Sequence, residues 1–177
     1  MISLEQFSKD QLKIVNEAVA TAEEIVGNHY KLSLSQWRRP KYDIKTLVDL
    51  SEDEIILAEN KIVHGPFAQI IRYQGQKIDS SLSSSAYDFY KICLQDHFVI
   101  SALRQSIKML FFPFILYIIT HELIHVVRFS NFSQNFEASP EEKLAEETRV
   151  HKHTNKMLFK QNFQGMSDVI SFYHNWQ

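Results

Sequence analysis

The amino-acid sequence predicts one mostly helical α+β domain over residues 1–177. Three observations carry this expectation. Only four glycines and four prolines stand in 177 residues, which favours long regular elements over tight turns. Two helix starts can be read directly, because Ser8 with Gln11 and Ser139 with Glu142 both match a capping box. Only FAQIIRYQ (67–74) and YDFYKICLQ (87–95) carry the β-branched and aromatic bias of strands. The length allows a sizeable core, and an apolar fraction of 45% is ordinary for a globular chain.

Ser8 to Gly27 reads as an amphipathic helix. Leu12, Val15, Val19, Ala22 and Val26 recur at helical steps, and Gly27 is placed to end it in the left-handed conformation. Ser51 and Glu54 suggest another helix start, so residues 1–60 are expected to be helical. His64-Gly65-Pro66 is a break, and a small sheet is expected within 61–100. The polar segment KIDSSLSSSA reads as a loop, and 87–95 fits either a second strand or the start of a helix. From 98 to 128 the pattern is helical, with Pro113 either kinking the helix or starting a new one. Phe114 to Val127 is apolar all round, as a central buried helix would be. FSNFSQNFEAS (129–139) reads as a loop. A helix then runs from Ser139-Pro140 to about Phe163, Gly165 breaks the chain, and MSDVISFYHNW makes a last short helix.

Net charge is −2 and no basic cluster exceeds the pair Arg38-Arg39, which argues against nucleic acid as the main partner. One cysteine, Cys93, excludes an intrachain disulfide and suits a reducing compartment. The first residues lack a basic stretch followed by an apolar one, so a cytoplasmic location is the expectation. The apolar run Met109 to Ile119 is too short to span a bilayer unless it continues through Thr120, His121, Glu122 and His125. Those groups are expensive in lipid, so a helix buried in protein is expected rather than a membrane partner.

The chemistry is concentrated in THELIHVVRF (120–129). His121 and His125 stand four apart, on one face of a helix, as a pair of zinc ligands would. Glu122 lies about 100° further round, within reach of a water at the metal. This is the H-E-x-x-H pattern, whose content is two imidazole ligands and a general base. A metal accounts for polar groups in so apolar a helix.

A third ligand is needed. The form H-E-x-x-H-x-x-G-x-x-H fails, since Arg128 and Asn131 stand where glycine and histidine should be. A glutamate from the next helix, SPEEKLAEETRVHKHTNKMLF, is the other source. In helical projection Leu144, Val150, Met157 and Leu158 share one side, with Glu147 at its middle and Glu146 at its edge. Glu147 is therefore favoured, with Glu146 and His151 as alternatives. His151, one turn on, could instead orient a ligand or donate to an oxyanion.

HELIH followed by a helix bearing AEETRVH resembles the gluzincin branch of zinc metallopeptidases, over about residues 114–160. The branch often has an acidic residue one turn after the third ligand; here His151 stands there instead. The resemblance implies a zincin-like fold, with a central active-site helix, a small upstream sheet whose edge strand lines the cleft, and a following helix with the third ligand. Residues 101–177 would supply the metal-site helices. It also implies a Zn2+-dependent metalloprotease, a hydrolase of peptide or protein substrates, with His121, His125 and Glu147 on the metal. Glu122 would activate the zinc-bound water, and His151, His153, Tyr173 or His174 would donate to the oxyanion. His29, His64 and His97 are expected to be surface or satisfied core residues.

Two other classes compete. One is a non-catalytic zinc-binding regulator or sensor with the same fold. The other is a metal-free interaction protein whose run FFPFILYII docks a partner.

Overall fold

The computed structural model describes residues 4–37, 41–51, 53, 67–76 and 86–176. They form six helices and a three-stranded sheet, so the class is α+β with helices predominant. Helix α1 (Lys9–Tyr30) opens as the sequence predicts. The Ser8 side chain accepts from the Gln11 N–H, and the Gln11 side chain accepts from the Ser8 N–H. It does not stop at Gly27. It runs to Tyr30 and closes on Lys31, left-handed at φ 53°. Gly27 serves packing instead: a Cβ there would lie 2.6 Å from Nε1 of Trp37, the last residue of the short α2 (Leu34–Trp37).

The strands are β1 (Lys41–Lys45), β2 (Ala68–Gln76) and β3 (Ala86–Leu94), in the order β1-β3-β2. β3 is parallel to β1, with Ile44 opposite Ile92, and antiparallel to β2, with Ile70 also opposite Ile92. Tyr90, Ile92 and Leu94 alternate into the core, which makes 87–95 a strand rather than a helix start. β1 corrects the expectation that residues 1–60 are helical and extends the sheet outside 61–100. The helix start at Ser51, the break at 64–66 and the loop over 77–86 fall largely outside the described residues.

Helix α3 (Asp96–Gln105) follows β3 directly. Asp96 is fully buried: Oδ2 accepts from the Phe7 N–H at 2.9 Å, and Oδ1 from the Leu47 N–H at 3.2 Å. Burial raises its pKa above the ordinary carboxyl value, against the pull of those N–H groups. The chain then breaks at Ser106, which is extended, and restarts as α4 (Phe111–Ser130). Pro113 sits in the first turn of α4, where its missing N–H is not needed, so it starts a helix rather than kinking one.

α4 is the centre of the molecule. Phe114 to Ile119 are at most 2% exposed, which places the apolar run in the core. α1 packs along α4, as do β2, α5 (Pro140–Phe159) and α6 (Met166–Trp176). Among the described residues α4 alone is long and apolar enough to cross a membrane, and 78% of its most apolar window is buried in protein. α4 extends to Ser130, so Phe129 belongs to the helix, where its ring stacks on Tyr90 of the sheet at 5.6 Å. α5 starts on the predicted Ser139–Glu142 box but ends at Phe159, short of 163. Leu144, predicted on its apolar side, is 70% exposed.

Candidate metal centre

One turn of α4 separates His121 from His125, and their rings meet edge to face at 4.9 Å. The two Nε2 atoms lie 3.2 Å apart. Glu147 reaches across from α5, with Oε2 3.2 Å from His121 Nε2 and Oε1 3.1 Å from His125 Nε2. Ligand atoms at about 2.0–2.1 Å from a tetrahedral zinc stand about 3.3 Å apart. Two imidazole nitrogens and a carboxylate with those separations fit that ion in donor type and in spacing.

Burial and the contacts among these groups shift their protonation. Burial opposes charge on His125, but the Glu147 hydrogen bond and the charges of Glu122 and Glu147 outweigh it and raise its pKa to about 9. Burial lowers the pKa of His121, with Glu147 pulling the other way. Burial would raise that of Glu147, but the two imidazoles hold it below the usual carboxylate range. Burial pushes Glu122 up to about 8, the charge of His125 opposing and that of Glu147 adding to the rise.

Glu146 is the more buried of the two candidate glutamates, at 5% exposure, against 49% for the Glu147 side chain. Burial therefore does not select the one that meets the histidines. Glu146 is taken by the Arg128 and Arg149 guanidiniums, one from α4 and one from α5. Glu147, about 100° further round α5, is left to face the histidines.

Sequence reasoning missed the groups that orient these imidazoles. Gln134, in the loop after α4, has Oε1 3.0 Å from His125 Nδ1. An amide oxygen only accepts, so Nδ1 carries a proton there and Nε2 is the nitrogen turned toward His121 and Glu147. Tyr117 lies one turn before His121, with its hydroxyl 2.9 Å from both His151 Nδ1 and Asn155 Oδ1. His121 Nδ1 is buried and has no hydrogen-bond partner among the described residues. His151 lies within this group: His121, Glu147 and His151 offer ligand atoms all within 4.8 Å of one another. Burial lowers its pKa to about 4, with the neighbouring His121 adding to the shift.

These residues line a cleft of ≈ 560 Å³. Phe67, Ala68 and Ile70, at the start of β2, form one wall, and Glu122, Phe129 and Tyr173 also face it. β2 is an edge strand among the described residues. α1 lines none of the cleft. Of the four candidate oxyanion donors, only His151 and Tyr173 line it. His153 instead faces His29 at 6.0 Å, between α5 and α1. His174 lines a smaller neighbouring cavity of ≈ 230 Å³. His29 packs on Tyr30 and His97 on Phe98, both away from the cleft, whereas His64 lies outside the described residues. No protein-family model, curated protein or solved structure matches this chain.

Proposed function

We propose that this chain is a zinc-dependent metallopeptidase with a zincin-like arrangement of its central helix, sheet edge and third-ligand helix. The observation that carries the reading is the meeting of His121, His125 and Glu147 at 3.1–3.2 Å beside Glu122, in a cleft walled by β2. Zinc held by those three residues supplies a Lewis acid for a carbonyl oxygen and for water.

The rest is the work of this chain's own residues. Glu122 takes the proton of the attacking water and returns it to the leaving amine. Glu122 lines the cleft together with the two imidazoles and Glu147. Tyr173 lines the cleft from α6, and its hydroxyl is the donor to the developing oxyanion in this reading. β2 offers backbone groups for an extended peptide to pair with. Phe67, Phe129 and Phe136 give its side chains an apolar surface.

The test is Glu122→Gln, assayed for bound zinc and for cleavage of an unstructured protein. Zinc content should stay at wild-type level while turnover falls by about 10²–10⁴-fold. Equal cleavage by the variant would sink the mechanism. Full zinc loading with no turnover in the wild type would favour the non-catalytic zinc protein.

A further inference from the structure

The hydrogen bonds behind His151 determine what its ring offers to the site. The Tyr117 hydroxyl has one proton, and it donates that proton to Asn155 Oδ1 at 2.9 Å. Toward His151 it can only accept, so His151 Nδ1, also at 2.9 Å, must be the donor. The proton therefore sits on Nδ1 and the Nε2 lone pair is free. No hydrogen bond to Nε2 occurs among the described residues, and the ring lines the cleft. His151 is thus prepared in the same way as His125, whose Nδ1 is held by Gln134. Its ring lies 4.3 Å from that of His121 and is backed by Tyr173 at 5.4 Å, which itself stacks on Tyr117 at 4.2 Å. An imidazole in this tautomer accepts and does not donate, so it is unsuited to hold an oxyanion.

We infer that His151 is a fourth metal ligand held in reserve: Nε2 completes the coordination begun by His121, His125 and Glu147 until a substrate displaces it. The inference rests on the metal reading above. His121, His125 and Glu147 stand 3.1–3.2 Å apart, and His151 offers a ligand atom within 4.8 Å of those of His121 and Glu147, at the edge of the same site. Three imidazoles and one carboxylate would close a tetrahedral ion as structural sites are closed, and removing one imidazole would open the catalytic position. The resting protein is then self-capped, and the entering substrate group must be a better ligand than a neutral imidazole.

The experiment uses the full chain loaded with cobalt(II), read by visible absorption and by chelator competition. His151→Ala should weaken metal binding by about tenfold or more and change the cobalt spectrum. It should also tighten binding of azide to the metal, because the capped position is open. Asn155→Leu leaves His151 in place but frees the Tyr117 proton to point at Nδ1. It should weaken metal binding in the same direction by a smaller factor, which keeps the idea testable if His151→Ala does not fold. Wild-type loading with unchanged affinity and spectrum in the variants would overturn the fourth ligand and leave the three-ligand site standing. No cobalt in the wild type would overturn both.

Discussion

Removing the amide of Gln134 should loosen the metal without touching a ligand. Its Oε1 is 3.0 Å from His125 Nδ1 and holds that ring with Nε2 turned toward His121 and Glu147. Gln134→Leu keeps the bulk and deletes the acceptor. The imidazole N–H is then left without a partner in a residue only 4% exposed, at a cost of about 1–3 kcal/mol. The ring escapes that cost by moving its proton to Nε2, which blocks the atom a metal needs. Loss of an orienting partner of this kind weakens metal binding by about 10–100-fold, or about 1.4–2.8 kcal/mol. The loop should survive, since the Ser133 N–H and Gln134 N–H still donate to the Arg128 carbonyl at 2.9 and 3.3 Å. The assay is chelator competition for zinc, beside a thermal melt of the metal-free protein. Gln134→Glu, which restores an acceptor and adds charge, should return affinity to the wild-type level or above. A Gln134→Leu affinity within about twofold of wild type, with one zinc still bound, would refute the assigned tautomer and the role of the loop.

Glu147→Ala should abolish most zinc affinity, while Glu146→Ala should leave zinc bound and lower stability through the stranded Arg128; an equal loss of zinc in both would show that the carboxylates share the metal. Asp96→Asn should destabilise by about 1–3 kcal/mol in a denaturant titration, because one amide oxygen cannot serve both the Phe7 and Leu47 N–H groups. The folded pKa of Asp96 is raised, so the folded state holds the extra proton and wild-type stability falls as pH rises from the ordinary aspartate value of 3.8 through the folded value. The Asn variant lacks that decline, so its deficit should shrink with rising pH across the window and then level off; a deficit that grows would reverse the assignment. Gly27→Ala should lower the melting temperature, since the new Cβ meets the Trp37 indole at 2.6 Å and the helix-propensity gain is only about 1 kcal/mol; a rise would show that the indole swings away freely.

The parts of this molecule that could be read from sequence are those set by neighbours along the chain. Ser8 with Gln11 and Ser139 with Glu142 fix their helix starts within one turn. His121 and His125 share a face because the helix period requires it. β1 was not legible: KYDIK is five residues long, and its partner β3 lies more than 40 residues away. The end of α1 was misplaced because the glycine that looked like a stop is required by Trp37, a contact outside the helix. Glu147 was favoured over Glu146 on the ground that it faces the core, yet Glu146 is the more buried. What turns Glu147 to the histidines is that Arg128 and Arg149 engage its neighbour; the Arg149 pair has an ordinary i,i+3 spacing, but the Arg128 pair runs between helices and leaves no periodic trace in a sequence. Gln134, Tyr117 and Asn155 were invisible for the same reason, since a hydrogen bond across a loop or between helices has no fixed spacing.

The whole centre, from Tyr117 to Asn155, comes from two consecutive helices and the loop that joins them. Contacts between near neighbours in sequence form fast, whereas the pairing of Lys41 with Phe89 must close a much longer stretch of chain. β2 and β3 pair at separations of 10–26 residues, as local as the contacts of the helical hairpin, so the slow steps are the docking of these two units on each other and the addition of β1. A cation captured by the hairpin would cross-link it before that docking. The ion would then load into an open trough, which the docked β2–β3 pair turns into a cleft.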